Sequence, residues 1–247
     1  MEKTKSVRNP FPWIWKVFKY EMKNSARILL PLYVTTLIAA FLHSMFFIDK
    51  IESDSVFGIL EIFQILYYVI LITSGVVTVV VLARRFKIGL LGDEGYLNLM
   101  LPVTIGEHLL GRILSVVVWI PVCLVTGFVS LLILSATKLV TSEIYYFDLW
   151  FSLAAIFITV VLFAYLVNAV GHLAKKHRTI VKVVTVTVIL SATLRILVGV
   201  EDIVRNMVEF EFRFKYNSYI ISLTLLVFSA IYGVVTYFIL KHRLNLE

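Results

Sequence analysis

The sequence predicts an all-α membrane protein with six transmembrane helices, arranged as one transmembrane domain over residues 1–247. Hydrophobic residues make up 60% of the 247 positions and charged residues only 16%, whereas soluble domains carry about 25% charged residues. Six apolar runs are each close to the roughly 20 residues that a helix needs to cross the hydrocarbon layer. The composition and the runs together exclude an ordinary soluble protein.

The six predicted spans follow one another through short polar connections. The first run begins late and is too long for the apolar core of a secretory signal peptide, so we expect it to stay in the protein. The single cysteine, Cys123, lies inside the third run, which excludes an intramolecular disulfide and a cysteine-based metal cluster. The predicted bounds are Ile28–Ile48, Phe63–Ala83, Ile113–Ser135, Leu149–Gly171, Thr179–Val200 and Ser218–Leu240.

The basic residues are distributed unequally between the two sides. Seventeen of the 23 lysines and arginines fall in residues 1–27, 84–112, 172–182 and 241–247, five fall in the other connections, and Arg195 lies within a span. Cytoplasmic connections of membrane proteins are enriched in Lys and Arg. We therefore expect both termini in the cytoplasm, and the net charge of +7 reflects topology rather than nucleic-acid binding.

Ahead of the first span, Phe11–Arg27 predicts an amphipathic helix on the inner membrane surface that then turns into the span, where Pro31 fits an early turn. A basic face with aromatic residues beside it suits an anionic leaflet. An ordinary basic flank of the first span is the alternative. The apolar side consists of Phe11, Ile14, Trp15, Phe18, Met22 and Ala26, and the surface contacts are assigned to Trp15, Lys16, Lys19, Lys23 and Arg27.

The connection 84–112 predicts a short helix, a break and a new helix. Asp93 is a good N-cap, and Asp93 and Glu94 suit the positive end of the helix dipole. Pro102 ends this helix, and Thr104 with Glu107 forms a capping box that begins the next one. One face of the short helix carries Tyr96, Leu97, Met100 and Leu101. Such a helix is too short to be stable alone, so we expect it to pack against the membrane surface or another protein.

The outer segment, residues 201–217, changes period along its length. Helical periodicity continues past the fifth span, with Glu201 and Arg205 four residues apart on the polar side. Strict alternation over Val208–Tyr216 then predicts an extended segment with one aromatic face. This segment forms either a cap over the outer mouth or a loop that rests its aromatic side chains in the outer headgroups.

Three ionisable residues lie near or within the outer third of their spans: His43, Glu61 and Arg195. Ionisable groups inside a membrane often mark a transport pathway or pair with one another. Arg195 is expected to line a pathway or to pair with Glu61, the alternative being a side chain that reaches the outer interface. We expect His43 to be a polar residue near the interface rather than a metal ligand or a proton relay.

The stretch "RRFKIGLLGDEGYLNLMLPVTIGEHLLGRIL" resembles the loop between the second and third spans of permease subunits of type-2 ABC exporters, in particular the compact six-helix subunits of Gram-positive bacteria. The opening "FKYEMKNSARILLPLY" is similar to the entry helix of those subunits. The likeness covers the first half of the chain well and the second half only in topology. The family's outer loop usually carries short helices, from which the alternating segment departs.

The resemblance implies that Asp93 to Leu101 is a coupling helix that docks on a cytoplasmic ATPase subunit. Tyr96, Leu97 and Met100 would be its apolar anchors, Asp93 and Glu94 would meet basic groups or cap the helix, and Gly95 would permit close approach; Leu101 and Pro102 complete the motif. A second permease subunit, identical or different, would share the pathway. The chain itself would be non-catalytic and sit in a bacterial plasma membrane, exporting a peptide, a lipid-like compound or a drug.

The sequence itself contains no Gly-Lys pair and hence no phosphate-binding loop, so ATP and magnesium belong on a separate chain. A self-contained secondary transporter that uses Arg195 and Glu61 is the competing interpretation, although its usual repeated halves are not evident. An integral-membrane enzyme is a third class, disfavoured because the sequence lacks H-E-x-x-H and G-x-S-x-G.

Overall fold

The computed structural model describes residues 11–48, 54–92, 104–135, 147–174, 177–207 and 210–243. Over these residues the chain forms six long α-helices and no strand. Each helix contains a stretch that is long and apolar enough to span a membrane, which confirms the six predicted spans. The helices are α1 Phe11–Ile48, α2 Asp54–Phe86, α3 Ile105–Ser135, α4 Phe147–Leu173, α5 Arg178–Met207 and α6 Phe210–Arg243.

Helix α1 is continuous over 38 residues, without the turn that we expected between the amphipathic segment and the first span. At 1.5 Å per residue it is about 57 Å long, nearly twice the thickness of the hydrocarbon layer. Pro31 lies inside it and costs one backbone hydrogen bond. Leu29 and Tyr33, on either side of Pro31, are both buried in the core, so packing holds the helix together at its weakest point.

Helix α2 ends in a different geometry. Residues Lys87–Leu91 form a π-helical turn, and Gly92 is extended. Turns of this kind occur as single insertions in helices and are frequent at functional sites. The sequence pattern did not predict it.

The predicted extended segment is wrong from Phe210 onward, because α6 begins there and continues without interruption to Arg243. The alternating aromatic and charged residues also fit helical spacing, since Phe210 and Phe214 are four residues apart. So are Glu211 and Lys215, and an acid placed four residues before a base stabilises a helix. A helix also satisfies its own backbone polar groups, which an isolated extended segment beside a membrane does not. The expected helical extension of the fifth span is confirmed, since α5 continues to Met207.

The helices pack in two groups. Helix α1 packs along α2 and α3, α4 packs along α6, and contacts of α4 with α2 and α3 join the groups. Helix α5 lies at the edge against α4 and α6, and the most apolar stretch of α5 contains no buried residue. Hydroxyl pairs connect neighbouring helices of the first group, with O–O distances of 3.0 Å for Tyr33–Thr78 and 2.8 Å for Tyr67–Ser130. In the second group the hydroxyl oxygens of Ser152 and Ser222 are 2.8 Å apart.

Three contacts define one end of the bundle. Arg112, near the start of α3, reaches the end of α2. Asn168, near the end of α4, accepts a hydrogen bond from Lys182, near the start of α5. A methyl group on Gly106 of α3 would lie 3.2 Å from the ring of Tyr237, near the end of α6. We call this end the basic end, because it carries the connections that are rich in Lys and Arg.

Candidate functional site

A buried ion pair lies at the basic end. Nη2 of Arg112 is 2.9 Å from Oε1 of Glu21, and the two side chains are 3% and 6% exposed. Arg112 belongs to α3 and Glu21 to the first third of α1, so the pair joins the two helices. A buried charge is costly to desolvate unless it is paired and hydrogen-bonded. The pairing requirement is met here, since each charge neutralises the other inside the protein.

The same guanidinium also binds the end of α2. Nη1 of Arg112 donates hydrogen bonds to the carbonyl oxygens of Arg85 and Phe86, at 3.0 and 3.2 Å. These are the last two residues of α2, where a positive group is favoured by the helix dipole and by carbonyls near the helix end. The guanidinium reaches the carboxylate from Nη2 and the two carbonyls from Nη1, a geometry that the single nitrogen of lysine does not reproduce.

Glycine at position 89 makes room for this arrangement. Gly89 belongs to the π-helical turn and is buried. A side chain there would overlap the guanidinium group of Arg112. The π-helical turn and its glycine thus let α2 approach α3 closely enough for Arg112 to reach the α2 carbonyls.

Two further contacts fix the surrounding helices. Gly111, beside Arg112, faces Val17 of α1 so closely that an added methyl carbon would lie 2.8 Å from Val17 Cγ1. On the other side, the ring of Phe86 stacks on Tyr165 of α4 with centroids 4.1 Å apart. Four helices therefore meet around Arg112, and we call the ion pair with its carbonyl contacts the Arg112 junction.

The capping box predicted at the start of α3 is confirmed. The backbone N–H of Thr104 donates to Oε2 of Glu107 at 2.7 Å, and the N–H of Glu107 donates to Oγ1 of Thr104 at 3.3 Å. These bonds satisfy two N–H groups that a helix start otherwise leaves without partners. Helix α3 therefore begins at a defined residue, immediately after the connection 93–103.

The connection between Gly92 and Thr104 joins the π-helical turn to the start of α3, and both of these elements belong to or lie near the Arg112 junction. Its first end leaves the π-helical turn under Arg112, and its second end enters the capped first turn of α3, fewer than three turns before Arg112. The predicted coupling residues lie in this connection, outside the residues that the structure describes. They are Asp93, Glu94, Gly95, Tyr96, Leu97, Met100, Leu101 and Pro102.

The predicted membrane-surface residues of α1 are all exposed: Trp15, Lys16, Lys19, Lys23 and Arg27. Trp15 is 55% exposed, and the Nζ atom of Lys16 lies 4.4 Å from the ring centroid of Trp13. The side that packs deepest into the bundle carries Glu21 and Ser25 instead of the predicted apolar face. The amphipathic segment thus has a polar buried stripe, an aromatic exposed side and a basic exposed side.

The three residues proposed for a pathway lie on three different helices. His43 is buried in α1, with its ring centroid 5.8 Å from that of Tyr67 of α2. Arg195 is exposed on α5. Glu61 lies in α2, and its side chain is outside the described part of the structure. The Glu61–Arg195 pairing stays a prediction.

Other polar groups form hydrogen bonds within or between helices. Within the described residues no group of three or more His, Cys, Asp or Glu side chains is placed to hold a metal ion. Cys123 is buried and accepts a weak hydrogen bond from Thr78 at 3.6 Å. The hydroxyl groups of Thr185, Thr187 and Ser191 donate to carbonyls of their own helix.

Glu21, Gly89 and Arg112 were missed by the sequence interpretation. One signal was available for Glu21, since it is the single carboxylate among the four basic residues of 11–27. Its spacing from Ile14, Ser25 and Leu29 places it on one side of a helix, but that side is not the most apolar one. Arg112 carries no comparable signal, because a base beside the end of a membrane span is ordinary.

The chain was compared with known proteins in three ways. No protein-family model matches it, no curated protein is significantly similar, and no solved structure matches its fold.

Proposed function

We propose that this chain is the non-catalytic permease subunit of an ATP-driven ABC exporter, acting with ATPase subunits on separate chains. It would move a peptide, a lipid-like compound or a drug outward across a bacterial plasma membrane. Both termini would lie in the cytoplasm, and a second permease subunit, identical or different, would complete the pathway. ATP and magnesium would be bound by the partner ATPase.

The observation that carries the proposal is that the connection 93–103 is attached at both ends to elements close to the Arg112 junction. An ATPase that grips this connection pulls on the π-helical turn at one end and on the capped start of α3 at the other. Arg112 joins both ends to α1 through Glu21, with no flexible linker between them. A force on the connection is therefore transmitted to three helices at once, as a coupling element requires.

The contact between Phe86 and Tyr165 extends this transmission to the second group of helices. The rings stack with an interplanar angle of 12°, and the hydroxyl group of Tyr165 donates to the carbonyl oxygen of Leu82 at 3.5 Å. A displacement at the end of α2 therefore reaches α4, which packs along α6. ATP-driven closure of the partner subunits would switch the pathway between inward- and outward-facing states by moving these groups of helices.

The proposal is tested by affinity purification from native membranes in mild detergent, followed by mass spectrometry. We expect the wild type to retain a chain that contains a phosphate-binding loop. The double variant Tyr96→Ala, Leu97→Ala removes two apolar anchors of the predicted docking face and should lose this ATPase. The matched control is Asn98→Ala, Leu99→Ala, which changes neighbouring positions outside that face and should retain it.

Equal amounts of folded permease in the three preparations are verified by size-exclusion chromatography before the comparison. If no ATPase is recovered with the wild type in any of several detergents, the exporter proposal fails. A transporter powered without ATP would then be the better account, with Arg195 and Glu61 as the first residues to change. If both double variants lose the ATPase equally, the assignment of the docking face is wrong.

A further inference from the structure

A basic pocket of about 490 Å³ opens at the basic end between the π-helical turn, α4 and α5. This volume lies within the range of about 300–1,000 Å³ that is typical of small-molecule sites. The π-helical turn that follows α2 forms one wall, the last turn of α4 the second and the first turns of α5 the third. The polar and charged residues that line it are Lys87, Asn168, His172, Arg178, Thr179 and Lys182.

The charge of the pocket has one sign. Lys87, Arg178 and Lys182 contribute three positive charges, and among the described residues that line the pocket none is acidic. Like charges placed together repel and raise the energy of the folded protein unless an anion lies between them. The pocket also includes the N-terminus of α5, where unpaired backbone N–H groups and the helix dipole favour a negative ligand.

Lys182 is held in position for such a ligand. Its Nζ donates to Oδ1 of Asn168 at 2.8 Å, and Nδ2 of Asn168 donates to the carbonyl oxygen of Ala164 at 2.9 Å, which fixes the amide orientation. The aliphatic part of Lys182 passes over Gly171, where any side chain would overlap it. An ammonium group has three N–H donors, so two remain for a ligand.

We propose that this pocket binds a phosphate group. A guanidinium, two ammonium groups and a helix N-terminus together match the charge and the several acceptor oxygens of a phosphate. The pocket lies where the apolar spans end, at the level that lipid headgroups occupy beside a protein of this kind. Basic pockets between helices on the cytoplasmic side bind the headgroups of anionic lipids in this way. The inference does not depend on the exporter proposal.

The first test is retention of anionic lipid, measured by native mass spectrometry on protein released from nanodiscs of phosphatidylcholine with and without phosphatidylglycerol. We expect the wild type to retain phosphatidylglycerol selectively, and Lys182→Met to retain it about fivefold less tightly, because one basic residue near an anionic surface contributes about that factor. The methionine keeps most of the apolar volume over Gly171. Lys241→Met, at the same end but outside the pocket, should retain lipid like the wild type.

Lys87→Met gives a second, independent measurement, since Lys87 is exposed and its removal leaves the packing unchanged. It should also weaken retention about fivefold. The source of the phosphate is distinguished by titrating inorganic phosphate into delipidated protein and following the melting temperature, with sodium chloride at equal ionic strength as the control. Stabilisation by lipid alone identifies a headgroup, and stabilisation by both or by inorganic phosphate alone identifies the phosphate group itself.

The proposal is overturned if Lys87→Met and Lys182→Met both retain phosphatidylglycerol as the wild type does and inorganic phosphate stabilises no form more than chloride does. It is also overturned if Lys241→Met loses as much lipid as the two pocket variants, since the effect would then come from the net charge of the surface.

Discussion

The guanidinium of Arg112 contacts Glu21 of α1 and the last two carbonyls of α2 while belonging to α3. Each contact uses a different part of the group: Nη2 meets the carboxylate and Nη1 meets the carbonyls. Removing either charge therefore has two consequences, the loss of a bond and the burial of an uncompensated partner. The second consequence is the larger, because an unpaired buried charge keeps its full desolvation cost.

This asymmetry gives a prediction for a double-mutant cycle. Glu21→Leu and Arg112→Met should each lower the free energy of unfolding by about 3–5 kcal/mol, because each leaves one charge buried alone. The double variant should be clearly more stable than the sum of the two changes predicts, since an apolar pair of similar volume carries no charge to desolvate. The double variant should still be less stable than the wild type, because the carbonyls of Arg85 and Phe86 lose their hydrogen-bond donor. Each lost hydrogen bond should lower the free energy of unfolding by about 1 kcal/mol.

The cycle is measured by unfolding in one detergent, with Arg27→Met as the control. Arg27 is exposed on the same end of α1, so its change should stay within about 0.5 kcal/mol. Strict additivity of the two single changes would show that Glu21 and Arg112 do not interact in the protein.

At the scale of an element, the π-helical turn decides how closely α2 approaches α3. Gly89 faces Arg112 without room for a side chain, whereas Gly199 of α5 has open space where its side chain would be. The two glycines therefore respond to the same substitution in opposite ways. Alanine in a helix is favoured over glycine by about 0.5–1 kcal/mol when nothing obstructs it.

We therefore expect Gly89→Ala to lower the melting temperature and Gly199→Ala to leave it unchanged or raise it. The reason at Gly89 is displacement of the guanidinium from Glu21 and the α2 carbonyls. In an Arg112→Met background, which has no guanidinium to displace, Gly89→Ala should have much less effect. A loss of stability that is equal in both backgrounds would place its cause elsewhere in the π-helical turn.

The elements also show which features a sequence can predict. Six helices followed from apolar runs of sufficient length, and the start of α3 followed from Thr104 and Glu107, because a capping box needs only residues three positions apart. The predicted extended segment was wrong from Phe210 onward, because the alternating pattern of Val208–Tyr216 also satisfies helical i, i+4 pairs. The Arg112 junction could not be predicted because it depends on which helices become neighbours, and spacing within one helix says nothing about that.

At the scale of the whole molecule, the helix ends that carry Arg85, Arg112 and Lys182 lie at the basic end. The contacts of Arg112, Lys182 and Gly106 hold the ends of five helices together there, independently of any rule about charge. Which side of the membrane this end faces is a separate question, for which the positive-inside rule predicts the cytoplasm. Cys123, the chain's single thiol, is buried, so added cysteines can report on the question.

Phe147 and Lys241 suit this measurement because both are exposed and stand at opposite ends of the bundle. Phe147 begins α4 and is 70% exposed, and Lys241 lies in the last turn of α6. In a Cys123→Ser background, a membrane-impermeant maleimide applied to intact cells should label Phe147→Cys but leave Lys241→Cys unlabelled until the membrane is permeabilised. The reverse labelling pattern would show the opposite membrane topology, with the connection 93–103 outside the cell. No ATPase could then reach that connection, so this labelling decides whether the Arg112 junction can serve as a coupling element.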